Sequence, residues 1–222
     1  MESLKNLNVK RIANIIGASG LVGQQLLDQL LDHDEFEKVR SFVRRSSGIT
    51  HPKLEEIVIG FDEPETWKHL VKGDVLFSTL GTTIKVAKTR ENQYLVDFTY
   101  QYEFAKAASE NGVGAYILVS SMGADSKSSI FYSRIKGELE EAVALLPFQK
   151  LIIFQPSILD GDRKEKRAGE KVGLVISRFV TKFMLKNYRP TPVNMLAEKM
   201  IRVSVDSTPG FRLVKGTEIF SI

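Results

Sequence analysis

The chain has 222 residues, 43% apolar and 26% charged, which is the composition of a soluble globular protein of ordinary domain size. It contains no cysteine, which excludes disulfides, thiolate metal sites, iron–sulfur clusters and a cysteine nucleophile, and its three histidines (His33, His51, His69) stand at no metal-ligand spacing, so no metal is expected. The net charge of +4 comes from dispersed basic residues with no arginine stripe among aromatics, and no stretch approaches the roughly 20 apolar residues of a membrane span, so neither nucleic acid nor membrane is an expected partner.

Val9 to Ile16 reads as a first strand and Leu21 to Leu31 as a helix with Leu21, Val22, Leu26, Leu27, Leu30 and Leu31 on its apolar side. Val39 to Val43, Leu54 to Ile59, Val75 to Ser78, Ala115 to Val119 and Leu151 to Phe154 follow as strands, with helices over Asn92 to Glu110 and Phe131 to Leu145. This alternation predicts an α/β fold, a Rossmann-type doubly wound parallel sheet with helices on both faces. After Pro156 come a polar loop from Ser157 to Arg167 and a helix around Val172 to Leu185. Arg189-Pro190-Thr191-Pro192 breaks the chain before a helix from Leu196 to Val205 and a short strand from Phe211 to Lys215. The chain is read as a single domain over residues 1–222, with residues about 157–222 forming a small C-terminal, substrate-side lobe.

Gly17-Ala18-Ser19-Gly20-Leu21-Val22-Gly23 lies where the first strand hands over to the first helix. Gly17 permits the tight turn, Gly20 lets backbone approach a pyrophosphate, and Gly23 lets helix pack on strand. The helix start, at Leu21 and Val22, offers free N–H groups and a positive dipole end to phosphate, and Ser19 adds a hydroxyl. Phe42-Val43-Arg44-Arg45 ends the second strand about 20 residues beyond the last glycine, where the ribose selector belongs. A carboxylate there would suit NAD. Arg44 and Arg45 suit a 2′-phosphate instead, because guanidinium groups bind phosphate bidentately, so NADP(H) is the expected cofactor.

With this loop and Tyr132-Ser133-Arg134-Ile135-Lys136, the chain resembles the short-chain dehydrogenase/reductase superfamily, and within it the Tat-interacting-protein-like group of atypical members. Further landmarks are Leu80-Gly81-Thr82-Thr83, Ser120-Ser121-Met122-Gly123-Ala124-Asp125 and Lys136-Gly137-Glu138. The resemblance implies that Asp62 faces the adenine and that Leu80, Gly81 and Thr82 pass beside the adenine ribose and pyrophosphate. It also implies that Gln155, Pro156, Ser157 and Ile158 line the nicotinamide.

Tyr132 and Lys136 are four apart on a predicted helix and share one face. An ammonium close to a phenol favours phenolate, which makes Tyr132 a candidate acid for carbonyl reduction or base for alcohol oxidation. Lys136 can also bind the nicotinamide ribose hydroxyls, and Ser120 or Ser121, at the fifth strand's end, can bond the substrate oxygen. No G-x-S-x-G elbow is present, which speaks against a serine hydrolase.

The expected function is therefore an NADP(H)-dependent oxidoreductase acting on a small carbonyl or alcohol. The alternative is a non-catalytic NADP(H)-binding redox sensor or regulatory protein. A sugar-nucleotide epimerase or dehydratase would need a larger C-terminal lobe. Arg163-Lys164-Glu165-Lys166-Arg167 is either solvated surface or a lid over an anionic substrate. A homodimer through the helices flanking the sheet would be unsurprising. Met1 to Lys10 lacks the apolar run of a signal peptide, so the expected location is cytoplasmic.

Overall fold

Alternation along β1 (Arg11–Ile16) sends Ala13 and Ile15 to one face of the sheet and Ile16 to the other, so a helical layer must cover each face. Asn14, buried in mid-strand, is satisfied by donating to the carbonyls of Val75 and Lys72 at 3.3 and 3.1 Å. The computed structural model describes residues 10–161 and 189–222. Within them β1, β2 (Phe36–Val43), β3 (Leu54–Val58), β4 (Val75–Ser78), β5 (Ala115–Val119), β6 (Lys150–Gln155) and, later in the chain, β9 (Gly210–Lys215) form one sheet. Its order is β3-β2-β1-β4-β5-β6-β9, parallel throughout. This is the doubly wound arrangement expected, with the direction of growth reversing between β1 and β4.

One face is covered by α1 (Leu21–Asp32) together with the last helix, α7 (Val193–Val205). Leu26, Leu30, Leu196 and Met200 there pack on Ile15, Phe77, Ile117 and Phe154. The other face is covered by α5 (Tyr100–Glu110) and α6 (Phe131–Ala144), where Phe104, Leu139 and Val143 meet Leu76, Leu118 and Ile153. Trp67, at the end of the short α2 (Pro64–Trp67), stacks on Phe104 with ring centroids 3.9 Å apart.

Three differences from the expected elements have physical causes. The helix read as Asn92 to Glu110 is instead α4 (Arg90–Tyr94), a π-helical turn over Leu95–Thr99, and α5; a short α3 (Ile84–Ala87) precedes it. A π turn admits one extra residue and turns side chains that an α-helix would place elsewhere. Strand β6 is longer than Leu151 to Phe154 because polar Lys150 and Gln155 at its ends are buried against partners. Helix α7 starts at Val193 rather than Leu196, since Pro192, which lacks an N–H, serves as its N-cap. The helix read around Val172 to Leu185 and the Arg163–Arg167 segment lie outside the described residues.

Of the C-terminal region described, α7 and β9 return to the main layers. Only the pair β7 (Leu159–Asp160) and β8 (Thr191–Pro192) stands apart from the large sheet. The C-terminal end of α7 is fastened by cations. Arg11 donates to the carbonyls of Ser204 and Val205 at 2.9 Å each, and Lys150 Nζ donates to those of Val203 and Asp206. Charge-assisted bonds of this kind answer carbonyls that a helix end leaves unpaired. Arg11→Ala should therefore lower unfolding free energy by about 1–3 kcal/mol, read as a lower urea midpoint with unchanged slope.

Candidate functional site

The reversal between β1 and β4 opens a crevice at the carboxyl ends of the strands, the place where open parallel sheets take ligands. Gly17 turns the chain there with φ +85°, and a Cβ on it would lie 2.6 Å from the backbone of Thr79 and Leu80. A Cβ on Gly23 would lie 2.1 Å from the carbonyl oxygen of Gly17, so α1 can approach the loop only with glycine there. Gly20 is the N-cap of α1, with no side-chain cap and no acidic residue in the first turn. The first helical bond runs from Gln24 to Gly20, which leaves the N–H groups of Leu21, Val22 and Gly23 outside the helix's own pattern. Ala18 is buried and Ser19 exposed at the loop tip. This loop fits an anion.

Thr79 bonds the Ile16 carbonyl through both its N–H and its hydroxyl, which ties the end of β4 to the end of β1. Leu80 and Gly81 consequently flank the glycine loop, and the Thr82 N–H donates to Asp97 at 3.3 Å. Arg44 and Arg45 are exposed beyond β2. The chain after them is folded back by Glu56, which accepts from Ser46 Oγ at 2.7 Å and the Ser47 N–H at 3.0 Å. Asp62 accepts a hydrogen bond from the Tyr100 hydroxyl. Burial first, then the bond and charge of Asp62, push the Tyr100 pKa up to about 12 against the opposing charge of Arg44. Arg44, Asp62 and Tyr100 thus form one cluster.

Helix α6 carries Tyr132 in its first turn and Lys136 one turn on. The helix is held close by Gly137, where a Cβ would lie 2.2 Å from the Ser126 backbone nitrogen. The Asp125 N–H donates to the Ser133 carbonyl and the Met122 N–H to that of Pro156, each at 3.0 Å, so the loop after β5 joins α6 to the end of β6. Ser121 and Tyr132 are half-buried, and Ser121 Oγ makes only a long 3.4 Å contact with the Met122 carbonyl. Ile158 accepts from the Thr191 N–H at 2.8 Å, which closes the Gln155–Ile158 stretch against β8.

Sequence reasoning missed two carboxylates. Asp97, in the π turn and 0% exposed, pairs with Lys136 Nζ at 3.0 Å. Its other oxygen is buried without a hydrogen-bond partner among the described residues. Burial is the largest influence on Lys136 and works to lower its pKa. The charge of Asp97, the neighbouring Tyr132, the hydrogen bond to Asp97 and the charge of Glu140 together outweigh it and raise the pKa above the ordinary lysine value. Glu140, one further turn along α6, accepts from Ser120 Oγ and from Gln155 Nε2, the latter at 2.9 Å to each oxygen. Ser120 and Gln155 are thus engaged under the crevice, whereas Ser121 is less constrained. The spacing of Lys136 and Glu140 on one helix face was the available sequence signal for Glu140; nothing in the sequence distinguished Asp97 from a solvated helix residue.

The profile of the NAD(P)H-binding family matches residues 17–144. "Protein FMP52-1, mitochondrial" of Scheffersomyces stipitis is 34% identical over 198 residues, which covers 87% of this chain and 84% of that protein. Among solved structures, the Bordetella bronchiseptica enzyme WbmH in complex with NAD+ superposes with a TM-score of 0.72 at 15% identity, over 93% of this chain and 75% of that one. A short-chain dehydrogenase from Burkholderia cenocepacia in complex with NADP gives 0.63 at 17% identity, over 93% and 88%. The two structures share the fold. The name of the fungal relative corrects the cytoplasmic expectation, because lacking an apolar run argues only against secretion, whereas mitochondrial addresses are amphipathic, basic and poor in acids.

Removing one member of a buried pair leaves the other charge uncompensated, so Asp97→Ala should cost about 3–5 kcal/mol in urea unfolding. Adding Lys136→Met should recover part of that loss; strictly additive losses would contradict the coupling. Because the Lys136 pKa is raised on folding, its contribution is complete below the ordinary lysine value and fades only as pH rises through the higher folded value.

Proposed function

The chain belongs to the NAD(P)H-binding family, and from that premise we propose that it is an NADP(H)-dependent oxidoreductase that moves hydride to or from a small carbonyl or alcohol. The observation that carries this reading is the stripe of Tyr132 and Lys136 on α6, set beside the ends of β5 and β6 with the lysine held charged. Gly17, Ala18, Ser19, Gly20, Leu21 and Val22 would hold the pyrophosphate at the uncapped helix. Arg44 and Arg45 would take the 2′-phosphate. Asp62, Leu80, Gly81 and Thr82 would flank the adenosine side, and Gln155, Pro156 and Ile158 the nicotinamide.

The bound cofactor supplies or accepts the hydride. In reduction, Tyr132 Oη gives its proton to the carbonyl oxygen as the carbon gains hydride, and the phenolate then regains a proton from water; in oxidation the proton moves the other way. The Lys136 ammonium would hold ribose hydroxyls and, lying beside Tyr132, would favour the phenolate as it forms. A serine hydroxyl has one hydrogen; that of Ser120 goes to Glu140, whereas that of Ser121 makes a long 3.4 Å contact with the Met122 carbonyl, so Ser121 is the serine better able to turn to the substrate oxygen. The relative's name supports a mitochondrial setting.

A second reading, a protein that binds NADP(H) and signals its redox state, is favoured by one observation. Lys136 and Ser120 are each held by a carboxylate, Asp97 and Glu140, which makes the site stiff before any substrate arrives.

Titration with NADPH, NADP, NADH and NAD, followed by nicotinamide fluorescence or calorimetry, tests the cofactor. Tight binding of the phosphorylated pair only is expected. Arg44→Ala should weaken NADPH by about tenfold or more while leaving NADH little changed, the loss of one charge-assisted phosphate contact. Equal losses would remove the selector. Tyr132→Phe should lower turnover of any accepted carbonyl by about 100-fold or more and spare NADPH affinity; undiminished turnover would take Tyr132 out of the mechanism.

A further inference from the structure

Glu140 has no part in the mechanism above, yet it is the polar hub of the inner end of the crevice. Its carboxylate is half-buried and accepts from Ser120 and Gln155, which terminate β5 and β6. Both partners are neutral. They satisfy the lone pairs without cancelling the charge. Among the described residues, the charges that act on it are those of Lys215 on β9 and Lys136 on α6, and Asp97 on the π turn and Tyr132 on α6 lie beside Lys136. Of the two cations, Lys136 already spends its charge on Asp97 at 3.0 Å, and Lys215 is exposed, where solvent and salt screen it. Among the described residues Lys136 and Asp97 sum to zero, so Glu140 leaves a net negative charge beside Lys136 in a half-buried site.

The oxidised nicotinamide ring carries a positive charge and the reduced ring carries none. Resting on the reading that this crevice takes a nicotinamide dinucleotide, with its ring end beside Lys136 and Gln155, we infer that Glu140 sets the preference between the two redox states and favours the oxidised cofactor. The two forms are otherwise nearly the same in shape and phosphate charge, so a fixed charge near the ring separates them where the rest of the site cannot. A raised Glu140 pKa agrees with this role: burial is the largest cause, outweighing the bonds from Ser120 and Gln155 and the nearby lysines. A carboxyl raised on folding binds its proton more tightly in the native state, so its ionised form lowers stability as pH rises through that window.

The test measures dissociation constants of NADP+ and NADPH for the full chain by calorimetry, with wild type and Glu140→Gln side by side. The glutamine can still accept from Ser120 and, with the Gln155 amide turned over, bond that partner too. The ratio of NADPH to NADP+ dissociation constants should fall by about tenfold in the variant, the scale of one partly screened charge at an effective dielectric of about 20. Glu140→Gln should also melt no lower than wild type at neutral pH. In the wild type the same ratio should fall as the pH is lowered and Glu140 takes up a proton, a fall that Glu140→Gln should not show. Equal changes in both constants would mark Glu140 as a packing residue and overturn the inference. Were the variant not to fold, a wild-type ratio that does not fall between neutral pH and the acid limit of the folded state would overturn it alone. Wild type that binds neither form would sink the cofactor reading itself, and this inference with it; wild type that binds both while the variant ratio is unmoved would sink only the latter.

Discussion

The arrangement depends on how closely the end of β1 can approach the end of β4. Those strands are neighbours whose continuations diverge, one into α1 and the other towards Gly81, and the crevice exists because the two chains leave in different directions. Gly17 lies against Thr79 and Leu80 with no room for a Cβ, and Gly23 lies against Gly17 with still less. The three segments are therefore packed backbone to backbone. That contact puts the uncapped start of α1 at the floor of the crevice, where its dipole and free N–H groups face outward together. A side chain at either glycine would push α1 away from the sheet and remove the anion site and the helix–sheet packing at once.

The opposite end of the crevice is governed by charge rather than by close approach. Lys136, Asp97 and Glu140 come from two elements, and each is at least half-buried. Charges removed from water are tolerated only when they are paired or well hydrogen-bonded. Lys136 and Asp97 meet that demand through one Asp97 oxygen, which also accepts from the Thr82 N–H, while Glu140 meets it through Ser120 and Gln155. The π turn makes the first pairing geometrically available: with an extra residue in the turn, Asp97 faces Lys136 instead of solvent. A local departure from α-helical geometry and a buried ammonium are thus parts of one arrangement, and neither has a reason to exist without the other.

Much of the fold was legible in the sequence because it rests on short-range patterns. Alternating β-branched runs fixed the strands, the glycine triplet fixed the first turn, and Tyr132 with Lys136 marked one helix face. What was not legible depended on partners far away in the chain. Lys150 and Gln155 lay outside the sixth strand as read, and the sheet brings them their partners, the end of α7 and Glu140. Asp97 looked like an ordinary acid on an amphipathic helix. Ser120 and Ser121 could not be told apart as adjacent identical residues, and what distinguishes them is an acceptor for Ser120 twenty residues later in α6. The location failed for a different reason: a missing apolar run carries information about one export route only.

Helix α6 carries three of these polar groups. Tyr132, Lys136 and Glu140 recur every four residues along one face, so they advance down the helix like rungs, from the half-buried mouth to the ends of β5 and β6. Each rung is tied to a different part of the fold: Tyr132 sits beside the loop that Met122 anchors to Pro156, Lys136 holds the π turn, and Glu140 holds two strand ends. Neither Lys136 nor Glu140 can move without disturbing the element it holds. Gly137, packed on the Ser126 backbone between the second and third rungs, removes the remaining freedom for the helix to slide. A helix clamped in this way cannot adapt its polar groups to the redox state of what binds beside it. Its fixed charges instead favour whichever state they already suit, and a rigid polar surface of that kind serves a proton-transferring enzyme and a redox-state detector equally well. What separates the two roles is whether Ser121 and Tyr132, the rim groups the clamp leaves least constrained, meet a substrate oxygen.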